Sequence, residues 1–155
     1  MNVLFVCTGN VNRSFVAEKY AAFLAGSGGA AVSVDSAGIA AQSYYRVPPQ
    51  ASAFLAAAGI ADVRHTAKLV TEELVNRADL ILVMEHVHYG FLADKYPQSI
   101  RKMHLFLDYC HNTSGRELPD PMGKSDAVFL AAFNAIKSGL QACQLFQKQV
   151  PPLNP

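Results

Sequence analysis

Short apolar runs alternate with longer mixed segments along this chain. The apolar runs fall at residues 2–6, 31–34, 79–84 and 103–107. Strands that are buried on both faces of a parallel sheet have this continuously apolar character, with little alternation. The pattern therefore predicts four short buried strands.

The segments between these runs have the features of helices. Ser14, Thr71 and Ser125 each stand where a helix N-cap is expected, and Pro97 ends one helical pattern. A Gly-rich run at 26–29 is expected to end the first helix. The predicted helices cover residues 14–25, 48–58, 71–76, 85–96 and 125–148.

Strands that alternate with helices predict an α/β protein, with a parallel sheet covered by helices on both faces in three layers. The chain has 155 residues, which suits one domain spanning residues 1–155. At 51% hydrophobic and 16% charged residues, its composition excludes a disordered protein and a disulfide-dense module.

The charge balance and the apolar runs also limit the partners. The formal net charge is +1, so no strong field attracts nucleic acid or an anionic membrane surface. No apolar run approaches the length of a membrane-spanning helix. The first residues are typical of a strand and not of a signal peptide. We expect a cytoplasmic protein that binds neither nucleic acid nor the membrane interior.

The cysteines and histidines do not form an obvious metal site or disulfide framework. Cys7, Cys110 and Cys143 are widely spaced and odd in number. Cys110 is expected to be a buried or loop residue, and Cys143 to lie on the apolar stripe of the last helix. His86 and His88 are two positions apart on a predicted helix, so they point in different directions.

The loop after the first strand has the composition of an anion-binding turn. In open parallel sheets, ligands bind beyond the carboxyl ends of the strands, where the strand order reverses. Backbone N–H groups of a tight turn and of a helix N-terminus converge there, and Gly and Asn tolerate the positive φ that such turns need. The loop consists of Cys7, Thr8, Gly9, Asn10, Val11, Asn12, Arg13 and Ser14.

Three residues of this loop could carry chemistry. Arg13 has a planar fork that can hold two phosphate oxygens. The positive surroundings favour a nucleophilic thiolate on Cys7, and Ser14 could donate a hydrogen bond to that sulfur. The alternative is a buried Cys at a strand end beside an unrelated Arg.

Four motifs in this order resemble the low-molecular-weight protein tyrosine phosphatases. They are CTGNVNRS at 7–14, SAG at 36–38, RHTAK around His65, and DPMGKSD from Asp120. The resemblance extends from Met1 to about Lys148. It implies a four-stranded parallel sheet in the order 2-1-3-4 and hydrolysis of phosphate monoesters through a phosphocysteine. It also implies that neither a metal nor an organic cofactor takes part.

The resemblance further implies a role for each matching residue. Cys7 matches the nucleophile, Arg13 the phosphate-binding residue and Asp120 the general acid, while Pro121 restricts the backbone of Asp120. Without the Cys loop, the simpler interpretation of Asp120 would be an ordinary turn residue before a proline. A supporting hydrogen-bond network is implied for Asn10, Ser14, Ser36 and His65.

The chain departs from the usual family pattern at several places. Asn12 stands where members usually have a second Cys, so oxidised Cys7 lacks a local disulfide partner. Phe15 replaces a Pro, and Met122 replaces a common Tyr, where it would form part of the pocket wall. The aromatic residue that lines the pocket in relatives is expected at Tyr44 or Tyr45, which the alignment does not distinguish.

Two residues keep alternative interpretations. Val11 could line the pocket, where an apolar side chain suits an aryl phosphate better than phosphoarginine, or it could simply pack under the loop. Glu85 follows the third strand and could join the site, although an acidic residue in the first turn of a helix is the simpler interpretation.

The sequence thus favours hydrolysis of phosphotyrosine in a protein substrate by a monomer or a weak homodimer. A protein-arginine phosphatase and a catalytically silent phosphate-binding module are alternatives. A thiol-coupled arsenate reductase is a third, but it needs two further cysteines close together. Cys110 and Cys143 are far apart in the sequence, which argues against it.

Overall fold

A computed structural model describes residues 1–28 and 31–147 of the chain. Its strands are β1 (Asn2–Cys7), β2 (Ser33–Gly38), β3 (Leu80–Val83) and β4 (Met103–Leu105). Its α-helices are α1 (Arg13–Gly28), α2 (Pro49–Ala57), α3 (Glu72–Arg77), α4 (His86–Lys95), α5 (Phe106–His111) and α6 (Asp126–Ala142). Two 3₁₀ helices cover Pro97–Lys102 and Gln144–Phe146.

The four strands form one parallel sheet in the order β2-β1-β3-β4. This confirms the predicted fold class and strand order. Since β1 is flanked by β2 and β3, the chain reverses its direction of winding at β1. The carboxyl end of β1 is therefore the switch point at which a ligand site is expected.

The side chains of β1 alternate between two apolar cores. Val3, Phe5 and Cys7 face one core, which contains the buried faces of α1, α2, α5 and α6. Leu4 and Val6 face the other core, beneath α3 and α4. The sheet is thus covered on both faces, as its continuously apolar strands require.

Two strand predictions were wrong in their extents. β2 was expected at 31–34 but lies at Ser33–Gly38, because its polar residues suit an edge strand that pairs only with β1. The run 103–107 was expected to be one strand, yet only Met103–Leu105 pairs with β3. Phe106 already begins α5, since a short apolar run fits a buried strand and a buried helix equally well.

Several helix ends also differ from the prediction. α1 begins at Arg13, so Ser14 lies inside this helix and is not its N-cap. α1 continues through Gly26 to Gly28, so the Gly-rich run does not end the helix at once. α6 ends at Ala142 instead of 148, and Cys143 caps it before a short 3₁₀ helix. Position 148 lies outside the described residues. Within the described ranges, none of the helices is both long and apolar enough to cross a membrane.

Gly38 at the end of β2 is required by the close approach of the loop after β1. Gly38 pairs with Cys7 in the sheet register. A Cβ atom on Gly38 would lie 2.4 Å from the carbonyl oxygen of Thr8 and 3.0 Å from the backbone N of Asn10. Ala40 N–H donates to that same Thr8 carbonyl at 3.0 Å, so the turn after β2 supports the loop directly.

We predict that Gly38→Ala destabilises the fold by about 1–3 kcal/mol or more, because backbone atoms of the loop must move to admit the methyl group. Urea unfolding measures the change. Gly90→Ala is the matched control, since Gly90 lies in α4 with open space around it, and Ala there should stabilise by up to about 1 kcal/mol. Equal effects of the two substitutions would contradict this account of Gly38.

Candidate active site

The loop 7–14 joins the end of β1 to the start of α1. Cys7 is the last residue of β1 and Arg13 is the first of α1, so the helix N-terminus faces the loop. The backbone N–H of Asn10 donates to Cys7 Sγ at 3.3 Å, and Ser14 Oγ lies 2.9 Å from the same sulfur. Donors that converge on a sulfur in this way suit a thiolate nucleophile.

Asn10 holds the loop in its turned conformation. Its φ is 57°, a left-handed value that Asn tolerates better than most residues. Its Nδ2 donates to Ser14 Oγ at 3.0 Å and to Ser36 Oγ at 2.8 Å, and its Oδ1 accepts from the backbone N–H of Lys68 at 3.0 Å. The fully buried amide of Asn10 is therefore satisfied by three parts of the chain.

His65 supports the same residue from the opposite side. Its Nε2 donates to the carbonyl oxygen of Asn10 at 2.6 Å, and its ring lies against Phe15 with 4.4 Å between centroids. Burial lowers the pKa of His65, which favours the neutral ring. The sequence did not point to Glu18, whose carboxylate accepts from Ser36 Oγ and extends the network.

Arg13 is buried with 1% of its surface exposed, and an acidic residue partly neutralises it. Its Nη1 donates to the Glu85 carboxylate and to the carbonyl oxygen of Leu118, the latter at 2.7 Å. The simpler interpretation of Glu85, as only a first-turn acid, was wrong. Its position directly after β3, at the same sheet edge as Cys7, is the signal that could have identified it.

Asp120 lies on the other side of the guanidinium. Its Oδ2 is 3.4 Å from Arg13 Nη2, and its Oδ1 accepts from the backbone N–H of Met122 at 3.1 Å. Arg13 Nε is buried and has no hydrogen-bond partner among residues 1–28 and 31–147. Adjacent Nε and Nη2 donors can bind two oxygens of one phosphoryl group.

His88 is a further buried residue at the site that sequence analysis set aside. Its Nδ1 accepts from the backbone N–H of Glu85 at 3.0 Å, and its Nε2 lies 2.9 Å from Thr8 Oγ1. Since Nδ1 is an acceptor, Nε2 carries the proton and donates to Thr8. Burial, and then the charge of Arg13, lower the pKa of His88 to about 4.

The loop forms the floor of a pocket with a volume of about 350 Å³. Of the predicted wall residues, Tyr45 and Met122 line this pocket, while Tyr44 lies outside the lining and packs edge-on against Tyr45. Arg46 also lines the pocket and was not anticipated. The full lining comprises Cys7, Thr8, Gly9, Val11, Asn12, Arg13, Tyr45, Arg46, Asp120 and Met122.

The position of Val11 agrees with both of its alternative interpretations. Its side chain lines the pocket, yet it is 4% exposed and packs against Ala41 and Ala67. Asn12, which follows Val11 in the loop, lines the pocket too, and its Nδ2 lies 3.9 Å from Met122 Sδ.

The structure brings a buried sulfur, an arginine with free donors and a carboxyl group into one pocket. This arrangement can bind a phosphoryl group, attack it and move a proton to or from the group that leaves. Cys110 and Cys143 are not part of the pocket, although the structure places them against each other at the ends of α5 and α6. Their separation in the sequence was therefore misleading.

Comparison with known proteins gives a consistent result. Residues 2–151 match the family model described as low molecular weight phosphotyrosine protein phosphatase. The chain is 35% identical over 129 residues to the protein-arginine-phosphatase of Bacillus subtilis strain 168, covering 83% of this chain and 85% of that protein. It is 34% identical over 135 residues to the low molecular weight protein-tyrosine-phosphatase Wzb of Salmonella typhi, covering 87% and 86%.

One solved structure is similar to this chain over most of the length of both. It is a cysteine-to-serine mutant of the YwlE arginine phosphatase with a phosphorylated active-site serine. The TM-score is 0.86 at 30% sequence identity, and the match covers 92% of each chain.

We predict that His88 makes the stability of the protein depend on pH between about 6.5 and 4. In this range the unfolded chain binds a proton at His88 and the folded chain does not, so stability falls as the pH is lowered. The contribution is about 1.4 kcal/mol per pH unit. Urea unfolding at several pH values measures it as the difference in slope between the wild type and His88→Gln.

The difference in slope isolates His88, because carboxyl groups titrate in both proteins. His104→Gln is the control, since the side chain of His104 is exposed on β4. If His88→Gln leaves the slope as steep as in the wild type, the proposed neutral state of His88 in the fold is incorrect.

Proposed function

Since this chain belongs to the family of low molecular weight phosphotyrosine protein phosphatases, we propose that it hydrolyses phosphotyrosine in proteins through a phosphocysteine on Cys7. The observation that carries the proposal is the shared pocket of Cys7, Arg13 and Asp120. Nucleophile, phosphate-binding cation and proton donor all line the same 350 Å³ space. A module that only binds phosphate does not need the first and the last of these groups.

The first step transfers the phosphoryl group to the protein. Cys7 sulfur attacks phosphorus in line, and the bond between phosphorus and the tyrosine oxygen breaks. Arg13 Nε and Nη2 hold two of the three equatorial oxygens, and backbone N–H groups of the loop hold the third. Asp120 gives its proton to the departing phenolate, so tyrosine leaves as a neutral phenol.

The second step returns the cysteine. Asp120, now a carboxylate, takes a proton from a water molecule that attacks the phosphocysteine, and inorganic phosphate leaves. Cys7 departs as a thiolate, and Ser14 Oγ, 2.9 Å from the sulfur, can donate a hydrogen bond to the charge that forms. The amide of Asn10 directs its own N–H groups at Ser14 Oγ and Ser36 Oγ, which leaves the Ser14 proton free for the sulfur.

The pocket wall supports an aryl substrate. Tyr45, Val11 and Met122 present an aromatic ring, two methyl groups and a thioether to the space above Cys7. These groups suit the ring of phosphotyrosine. A phosphoarginine side chain would instead place a polar guanidinium against them.

Arginine dephosphorylation is the second candidate, and one specific observation favours it. The relatives include a protein-arginine-phosphatase that is 35% identical to this chain. The same pocket chemistry would serve, because Asp120 could protonate a leaving guanidine nitrogen as it does a phenolate oxygen. The choice between the two substrates depends on side chains such as Val11, Tyr45 and Met122, and not on Cys7, Arg13 and Asp120.

We predict that Cys7→Ser abolishes turnover of p-nitrophenyl phosphate, by at least about 10³-fold, in the presence of a metal chelator. The effect of Asp120→Asn on the rate should depend on the leaving group of the substrate. With phenyl phosphate, kcat should fall by about 10²–10⁴-fold. With p-nitrophenyl phosphate, kcat should fall less, because p-nitrophenolate leaves without protonation. Steady-state kinetics with both substrates tests this.

Asp94→Asn, an exposed position on α4, is the matched control and should leave both rates unchanged. Equal losses on the two substrates in Asp120→Asn would remove Asp120 from the acid role. A wild type that binds vanadate without turnover would identify a silent phosphate-binding module.

We also predict that the wild type prefers a phosphotyrosine peptide to the matching phosphoarginine peptide in kcat/KM, because Val11 presents only methyl groups to the pocket. Val11→Thr should narrow this ratio by about tenfold or more, since it replaces a methyl group by a hydroxyl group of similar size. Phosphate release from the two peptides measures the ratio. A wild type that prefers phosphoarginine would overturn the choice of substrate, but not the phosphatase mechanism.

A further inference from the structure

Two of the three cysteines meet at a place separate from the phosphate pocket. Cys110 lies in the last turn of α5, and Cys143 caps the end of α6. Both are buried, with 8% and 4% of their surfaces exposed, and neither is in a disulfide. The 32 residues between them hid this proximity from the sequence analysis.

A glycine on α6 brings the two helices close enough for the cysteines to meet. A Cβ on Gly139 would lie 3.6 Å from Cys110 Cβ and 3.0 Å from the ring of Phe106. Cys143 follows Gly139 by four positions, so it lies on the same face of the helix, one turn further along. The close approach at Gly139 thus places Cys143 beside Cys110.

The pair borders a surface groove of about 420 Å³, which both cysteines line together with residues such as Tyr109 and His111. None of the residues that line this groove lines the phosphate pocket. A small solute can reach the sulfur atoms through the groove, whereas their low exposure shields them from large reagents.

The two thiols also have unequal acidity. The contact between the two thiols lowers the pKa of Cys143 and raises the pKa of Cys110. The backbone N–H groups of Leu145 and Phe146 lower the pKa of Cys143 further. Cys143 is therefore the more reactive of the two sulfurs.

We propose that Cys110 and Cys143 are a redox-active pair, which closes to an intramolecular disulfide when the protein meets a hydroperoxide. Cys143 sulfur attacks one peroxide oxygen, the O–O bond breaks, and a sulfenic acid and water form. Cys110 sulfur then displaces hydroxide from Cys143, and the hydroxide takes the proton of Cys110 to give a second water. The two thiols lose two electrons, and hydrogen peroxide is reduced to two waters.

The cross-link would join the two ends of the segment that carries Asp120. Residues 110–143 include the Asp120 loop and all of α6. A disulfide that closes a loop of this length stabilises a protein mainly by restricting its unfolded chain. The oxidised protein should therefore unfold at a higher temperature, while the residues of the phosphate pocket stay in place.

The full-length Cys7→Ser variant provides the test, because Cys110 and Cys143 are then the only thiols. After treatment with hydrogen peroxide, we expect both thiols to disappear from an Ellman titration of the protein unfolded in denaturant, with a mass loss of about 2 Da and no dimer. Without reductant, tryptic peptides 103–116 and 138–148 should be joined. Dithiothreitol should restore both thiols.

Cys110→Ala and Cys143→Ala on the Cys7→Ser background are the matched controls. Each should gain oxygen on its single remaining thiol instead of losing about 2 Da. If both thiols of the Cys7→Ser variant survive peroxide, gain oxygen separately or link two molecules, the proposal is overturned. Since Cys7 is absent, none of these outcomes depends on the phosphatase mechanism.

Thermal unfolding of the same variant gives an independent readout. The oxidised form should have a Tm about 5–10 °C above that of the reduced form, and dithiothreitol should reverse the difference. A disulfide that forms with no rise in Tm would contradict the proposed restraint on the segment 110–143.

Discussion

The amide of Asn10 is the contact on which the rest of the site depends. Its left-handed backbone turns the loop, and its side chain joins the loop to α1, to β2 and to the segment before α3. A buried amide that loses one partner costs about 1–3 kcal/mol, so these contacts must form together. The same residue directs its own N–H at Cys7 Sγ. The fold thus positions Cys7 through Asn10, a residue that does not line the pocket.

The electrostatics of the pocket follow from the burial of Arg13. One guanidinium lies between Glu85 and Asp120, of which Glu85 is the more enclosed. Glu85 compensates the buried charge when no substrate is bound, because an isolated ion in the interior is very costly. The phosphoryl group of a bound substrate would place a further anion on Arg13, on the side of the guanidinium that faces Asp120.

Local patterns predicted a parallel sheet of four strands and the chemistry of the loop, whereas the strand order was implied by the family resemblance. Continuous apolar runs identified four strands, and the residue types of 7–14 indicated an anion site at the end of the first. Apart from the hydrogen-bond network and the role of Asp120 that the resemblance implied, the sequence did not predict contacts between distant segments. Glu85 and His88 reach the site from the start of α4, and Arg46 from the loop before α2. Of these three, only Glu85 has a position in the sequence, directly after β3, that points to the site. The meeting of Cys110 with Cys143 likewise depends on how α5 packs against α6.

The departures from the usual family pattern are coupled to one another in space. Asn12, in place of the usual Cys, contacts Met122, in place of the common Tyr, with 3.9 Å between Nδ2 and Sδ. Phe15, in place of Pro, is fully buried and supports the ring of His65. Groups in contact do not contribute additively to stability or activity. Restoring Cys at 12 alone would leave Met122 without its amide partner, so positions 12 and 122 are best regarded as one unit.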